Sequence, residues 1–182
     1  MAVPILPLAA AMLALTVGDG EMLRPPSDPP AKATPAPKPC SSPEHRQFDF
    51  WLGEWHVTTP DGKTAGTNRI TPILGGCALR EEWAGAGGVN GTSLNMWDSA
   101  AKRWRQTWVD GRGNVLLLTG EYRNTKMTLE GEGPGENGGL VRNRITWSRL
   151  PEGSVRQLWE TSRDGGKTWA GEFDGTYTPK KR

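Results

Sequence analysis

Histidine and cysteine are scarce in this chain of 182 residues, which contains two of each. Its sequence has no Cys-x-x-Cys pair, no phosphate-binding loop and no Ser-His-Asp or Cys-His arrangement of the kind that nucleophilic enzymes use. A thiol-redox role and a metal site are therefore not expected. Charge is also nearly balanced, with 22 Lys and Arg against 20 Asp and Glu. We expect no nucleic-acid partner, although "RWRQTW" alternates Arg with Trp as a single-strand binding surface does.

The only long apolar run lies at the start of the chain, from Val3 to Val17. Its length is typical of a signal peptide and too short for a membrane span, so we predict a signal peptide over residues 1–18 and a periplasmic or secreted bacterial protein. No Lys or Arg precedes the run, and prolines interrupt its start. An uncleaved membrane anchor and a disordered apolar tail therefore remain alternatives.

Proline and tryptophan divide the rest of the chain into two parts. Ten of the 15 prolines precede Trp51, whereas all nine tryptophans lie between Trp51 and Trp169. Residues 19–40 combine Pro and Ala with a few charges and show no apolar periodicity, which predicts a flexible tether. Residues 41–182 form the predicted globular domain, and no transmembrane segment is expected in the mature chain.

The two cysteines, Cys40 and Cys77, lie at the end of the tether and inside the domain. In an exported protein they could form a disulfide, for which the chain-entropy relation gives roughly 4 kcal/mol at best. The alternative is two unrelated thiols, one exposed and one buried.

The domain reads as a series of short strands separated by turn sequences. One helix signal comes first, with Ser42 as N-cap, Pro43 in the first turn and Gly53 as the stop. Turn sequences such as "TPDGKT", "VDGRGN" and "RDGGKTW" then divide the chain into about ten strands. We therefore predict an all-β fold, an antiparallel up-and-down barrel with a short N-terminal helix capping one end.

Alternation along each strand assigns its inward face. In the last strand, Trp169, Phe173 and Tyr177 are predicted to point inward. The same rule places polar residues among tryptophans in the interior, and the candidate ligand-binding set is Trp83, Gln106, Trp108, Asn143, Gln157, Trp159 and Tyr177. Glu81 is also predicted to point inward. Because buried polar groups need partners, these residues either form a structural network or face a cavity that receives a ligand.

Five sequence blocks carry a resemblance to a known group of proteins: "FDFWLGEWHV", "GGCALREEW", "RWRQTWVDGRG", "GSVRQLWETSRDGGKTW" and "FDGTYT". Together they resemble the bacterial lipocalin-like proteins of the domain-of-unknown-function 1579 group. Within the first block, "GEW" is similar to the Gly-x-Trp signature of the calycins, which include lipocalins, fatty-acid-binding proteins and nitrobindins. The resemblance covers roughly residues 44–178 and implies a calycin barrel with a small-molecule cavity.

The resemblance also implies roles for single residues. Gly53 and Trp55 match the calycin signature, so Trp55 is expected to pack across the closed end of the barrel as a structural residue. Nitrobindins bind haem through a histidine near the C-terminus, whereas this chain has only His45 and His56. Haem is therefore disfavoured and no cofactor is predicted.

"SRDGGKTW", from Ser162 to Trp169, matches the Asp-box of sialidase propellers. A single copy cannot build a propeller, so we interpret it as a hairpin turn and infer no glycosidase activity. In this turn Asp164 accepts backbone N–H groups, Gly166 takes a positive φ, and Trp169 is expected to pack into the core.

Three functions remain open from the sequence. The first is an exported binder of a small hydrophobic or amphipathic molecule in the barrel lumen. The second is an enzyme that uses Glu81 as acid or base, because burial among tryptophans raises the pKa of a carboxyl group. The third is an interaction module with a solid core. Changing Glu81 to Gln separates the first two, since it abolishes turnover in an enzyme but only weakens affinity in a binder.

Overall fold

The computed structural model describes residues 38–135 and 138–181, which form a closed barrel of ten antiparallel strands. The strands are β1 Gly53–Thr58, β2 Thr64–Ile73, β3 Ala78–Gly85, β4 Asn90–Asp98, β5 Arg103–Asp110, β6 Val115–Arg123, β7 Lys126–Pro134, β8 Leu140–Arg149, β9 Val155–Ser162 and β10 Ala170–Pro179. Each strand pairs with its sequence neighbours, and β1 pairs with β10 to close the barrel. The predicted all-β up-and-down barrel is confirmed.

Most of the region before the barrel lies outside the described residues. The signal peptide predicted for residues 1–18 lies outside the described residues, and so does all but the end of the tether predicted for 19–40. Both therefore stay predictions, together with the domain boundary at residue 41.

The turns between strands form because their residues satisfy the backbone locally. In the β5–β6 turn, the Asp110 Oδ1 atom accepts the backbone N–H groups of Arg112 at 2.9 Å and Asn114 at 3.0 Å. Gly113 has a φ of 83°, a value that favours glycine. This chemistry reverses the chain in a few residues, which lets consecutive strands pair.

The predicted N-terminal helix consists of two short 3-10 helices, Pro43–Arg46 and Asp49–Trp51. Ser42 precedes the first, but its hydroxyl donates to the Glu44 carboxylate at 2.6 Å and makes no cap bond to the backbone. Gly53 then begins β1 with a φ of 135°, which lies in the region that favours glycine. The helical segment ends before Gly53, as predicted, but it is 3-10 helix and not α-helix.

Aromatic side chains of this segment seal one end of the barrel. Phe48 and Trp51 are fully buried and stack with ring centroids 4.9 Å apart. Trp104 and Trp147 contact the Phe48 ring edge-on, at 5.6 and 5.1 Å. Trp55 joins them and donates its indole N–H to the Trp51 carbonyl oxygen at 3.0 Å. These five residues are called the aromatic plug below.

A disulfide joins Cys40 to Cys77, with Cα atoms 4.9 Å apart and a sequence separation of 37. Arg46 donates to the carbonyl oxygen of Gly76, next to Cys77, and to that of Cys40 at 3.4 Å. The first 3-10 helix is therefore held to the β2–β3 turn by a covalent bond and by a guanidinium group.

The prediction that Trp169 points inward was wrong. The register of β10 against β9 shifts between Gly171 and Phe173, which marks a β-bulge. A bulge reverses the faces of the residues that precede it. Phe173 and Tyr177 point inward as predicted, whereas Trp169 lies on the outer surface with the Arg144 guanidinium 3.9 Å from its ring centroid.

Candidate functional site

The barrel lumen holds a cavity of about 220 Å³, which lies toward the end of the barrel opposite the aromatic plug. Eleven described residues line it: Glu81, Trp83, Gln106, Trp108, Leu116, Ile145, Gln157, Trp159, Glu172, Phe173 and Tyr177. Its volume exceeds the ~150 Å³ of a cavity that holds benzene and is below the ~300 Å³ of the smallest drug-sized pockets. The cavity can therefore take a small molecule of about one ring.

The half-buried tryptophans lie toward the end of the barrel opposite the aromatic plug. Trp83, Trp108 and Trp159 are partly exposed, whereas Trp104 and Trp147, which belong to the aromatic plug, are buried. The cavity is thus closed at the plug and bordered by partly exposed aromatic rings at the other end. The loops between β1 and β2, β3 and β4, β5 and β6, and β9 and β10 surround that end.

Glu81 lies at the floor of the cavity with only 4% of its surface exposed. The Asn68 amide Nδ2 of β2 donates to its Oε1 atom at 2.7 Å, and the Ser93 hydroxyl of β4 donates to its Oε2 atom at 2.6 Å. Each neighbouring strand thus supplies one donor to the carboxylate. These bonds offset part of the cost of burying a charged group.

A chain of hydrogen bonds continues from Ser93 across β4 and β5. Asn95 Nδ2 donates to the Ser93 oxygen at 2.8 Å, and Gln106 Nε2 donates to Asn95 Oδ1 at 2.8 Å. Because every donor in this chain points toward Glu81, Gln106 is left with its Oε1 atom as a free acceptor. No hydrogen bond of the described residues uses that atom, although Gln106 is only 3% exposed and lines the cavity.

A second polar group lies on the opposite wall. The Tyr177 hydroxyl of β10 donates to Gln157 Oε1 of β9, and both residues line the cavity. The Gln157 Nε2 atom makes no side-chain hydrogen bond among the described residues. Asn143 is placed differently from the prediction. Its Oδ1 atom accepts from the Trp159 indole N–H at 3.0 Å, and it is not among the described lining residues. Asn143 therefore orients a lining tryptophan.

Glu172 lines the cavity and was not among the predicted site residues. Alternation places it on the outer face of β10, but the bulge after Gly171 turns it toward the mouth of the barrel. Its Oε1 atom accepts the Thr161 hydroxyl at 2.7 Å, and Thr161 is buried. A bulge has no clear signal in a strand written "AGEFDGTYT", so sequence alternation could not find this residue.

Burial raises the pKa of Glu81 from 4.5 to about 7, while the hydrogen bonds from Ser93 and Asn68 act in the opposite direction. Burial also raises the pKa of Tyr177 well above its usual value, with a further contribution from the charge of Glu81. The Glu81 carboxyl therefore changes its charge near neutral pH, while the tyrosine stays protonated.

This shift predicts a pH-dependent stability. The folded protein binds the Glu81 proton more tightly than the unfolded chain, so the Glu81 contribution is fully present below pH 4.5 and is lost as pH rises through 7. We expect it to lower the free energy of unfolding by about 3 kcal/mol between pH 4 and pH 8. Urea unfolding at both pH values, for the wild type and Glu81→Gln, measures it. Equal losses in the two proteins would contradict the expectation.

The Asp-box forms the turn between β9 and β10, as predicted. The Thr168 hydroxyl donates to Asp164 Oδ2 at 2.6 Å, and the backbone N–H groups of Thr168 and Lys167 donate to Oδ1, each at 2.9 Å. These bonds, that of the hydroxyl first, hold the Asp164 pKa well below its usual range. Gly166 has a φ of 93°. Trp169 donates its indole N–H to the Gly166 carbonyl at 3.1 Å, so it braces the turn from outside instead of entering the core.

The described residues contain no group of three or more His, Cys, Asp or Glu side chains that could hold a metal ion. No described helix has the length and apolar character needed to cross a membrane. The expectation that no cofactor binds stays a prediction.

The chain matches no protein-family model and no curated protein sequence. The closed barrel of ten antiparallel strands is consistent with a calycin-like fold. Membership of the group that the sequence blocks resemble stays a prediction.

Proposed function

We propose that this protein is exported and binds a small amphipathic molecule in the barrel lumen. The cavity carries the proposal, because it combines five aromatic side chains with the polar side chains of Gln106 and Gln157. Ligand sites are commonly apolar concavities with a few polar groups that orient the ligand. The apolar run from Val3 to Val17 and the Cys40–Cys77 disulfide support export, since disulfides persist in oxidising compartments.

Native mass spectrometry of the full chain, purified from a bacterial periplasm, is the first test. We expect an excess mass that organic solvent releases, or, for a protein that loses its ligand in purification, a change in tryptophan fluorescence with 2-phenylethanol or 2-phenylethylamine. A protein without excess mass that responds to neither probe would contradict lumenal binding. An absorption spectrum of the same sample tests the cofactor prediction, because a Soret band would show haem.

Filling the cavity gives a matched pair of variants. Leu116 lines the cavity, whereas its neighbour Leu117 is 63% exposed on the outer surface. We expect Leu116→Trp to weaken ligand binding at least tenfold, because the indole takes up ligand space, and Leu117→Trp to bind as the wild type does. Titration by isothermal calorimetry measures both. Equal affinity of the two folded variants would place the ligand elsewhere.

A further inference from the structure

The described ionisable side chains that line the cavity include acids but no bases. Of its eleven described lining residues, Glu81 and Glu172 carry carboxylates, and none is Lys, Arg or His. The nearby arginines that the structure pairs, such as Arg144 and Arg156, bind Glu160 and Asp174 on the outer surface. A bound molecule therefore meets negative charge at the floor and at the mouth without a compensating cation from the lining.

The floor carboxylate retains acceptor capacity. A carboxylate offers about four acceptor positions, and Glu81 uses two of them for Asn68 and Ser93. Gln106 also lines the cavity, and its Oε1 atom is an acceptor that no hydrogen bond among the described residues uses. An ammonium group, with three N–H donors and no acceptor, matches such a floor.

The walls suit a cation as well as an apolar body. Trp83, Trp108, Trp159 and Phe173 line the cavity, and Trp83 meets Phe173 edge-on with ring centroids 6.0 Å apart. Aromatic faces attract organic cations, most strongly for Trp, and the attraction grows when water is excluded. The same rings pack against a ligand's carbon skeleton.

We propose that the ligand is an organic ammonium ion, a primary amine with a small aromatic or aliphatic body, whose charged group binds at Glu81. This inference rests on the proposed binding in the lumen and names its ligand class. A cavity of about 220 Å³ limits the body to about one ring.

The proposal fixes the sign of a pH effect. The groups that face Glu81 are Asn68 from β2, Ser93 from β4, Gln106 from β5, Gln157 from β9 and Tyr177 from β10, of which only Tyr177 is titratable, and Glu172 lies at the mouth. An amine binds the ionised carboxylate and itself stays protonated below about pH 9. With a Glu81 pKa of about 7, amine affinity should rise about tenfold from pH 6 to pH 8.

Calorimetric titration of the full chain with 2-phenylethylamine and its neutral analogue 2-phenylethanol tests the class. We expect the amine to bind at least tenfold more tightly than the alcohol at pH 8, with the gap narrowing at pH 6. If the alcohol binds as tightly as the amine, or if amine affinity falls as pH rises, the ammonium proposal is wrong while lumenal binding stands. If neither probe binds, the ammonium proposal fails, and lumenal binding fails with it when the purified protein also carries no excess mass.

Three variants assign the charge to its residue. Glu81→Gln should remove the preference for the amine, and Glu172→Gln should reduce it by a few-fold. Glu82→Gln is the matched control, because Glu82 follows Glu81 on the same strand but pairs with Arg69 and Arg80 outside the barrel. Should Glu81→Gln not fold, the Glu172→Gln variant and the wild-type pH dependence still decide. An amine preference reduced equally by Glu82→Gln and Glu172→Gln would show a general charge effect and overturn the site.

Discussion

Replacing Trp51 with Ala is expected to lower the free energy of unfolding by about 3–5 kcal/mol, the range for a fully buried large aromatic residue. Trp51 has no exposed surface, and its ring packs against Phe48 at 4.9 Å and Trp147 at 5.2 Å. Three other rings of the aromatic plug, those of Trp55, Trp104 and Trp147, are attached to different strands of a closed barrel. They cannot collapse into the space without distorting the ladder, so most of the cavity should remain.

Urea unfolding followed by far-ultraviolet circular dichroism measures this loss without relying on tryptophan emission. Trp169→Ala is the control, because it removes the same residue type from the outer surface, where the ring contacts Arg144. A cation–π contact at the surface contributes about 0.5–1 kcal/mol and the indole hydrogen bond to Gly166 about 1 kcal/mol, so the control should lose clearly less stability. Similar losses in the two variants would contradict the structural role of the plug.

Removing the disulfide is expected to cost about 4 kcal/mol, the second of the largest effects. The bond closes a segment of 37 residues, and the chain-entropy relation gives about this value for a loop of that length. The Cys40→Ser/Cys77→Ser variant should therefore unfold at a lower urea concentration than the oxidised wild type. Arg46 still holds the same two segments together, so the barrel itself should form.

Reduction of the wild type provides an independent measure of the same quantity. A thiol reductant should bring the wild type to the stability of the double variant and leave the double variant unchanged. If the reductant does not change the stability of the wild type, the disulfide does not constrain the unfolded chain as the entropy argument requires.

Turn chemistry made the barrel predictable from the sequence. Each turn sequence, such as the one that contains Asp110, satisfies its backbone locally, so the number of strands follows from counting turns. Alternation also placed Glu81, Gln106 and Gln157 inside the barrel correctly. Whether a side chain points into or out of the barrel follows from its position along its own strand, and the sequence of that strand contains this information.

The partners of these residues depend on register between strands, which the sequence does not state. Asn68, Ser93 and Asn95 complete the polar chain around Glu81, yet sequence analysis assigned none of them a role. The bulge in β10 also depends on the register between two strands, which the sequence does not state. It brings Glu172 to the cavity and places Trp169, directly before the strand, on the outer surface, whereas Phe173 and Tyr177 point inward as predicted.

The pairing of β1 with β10 has a consequence for the kinetics of folding. Val57 lies opposite Tyr177, so strands from the two ends of the domain must meet before the barrel closes. Such distant contacts slow folding, because the entropy of a long loop is lost before any pairing energy is gained. Until β10 arrives, β1 presents an unpaired edge that can associate with other chains. Slow refolding and aggregation during synthesis are therefore expected to depend on the last ten-residue strand.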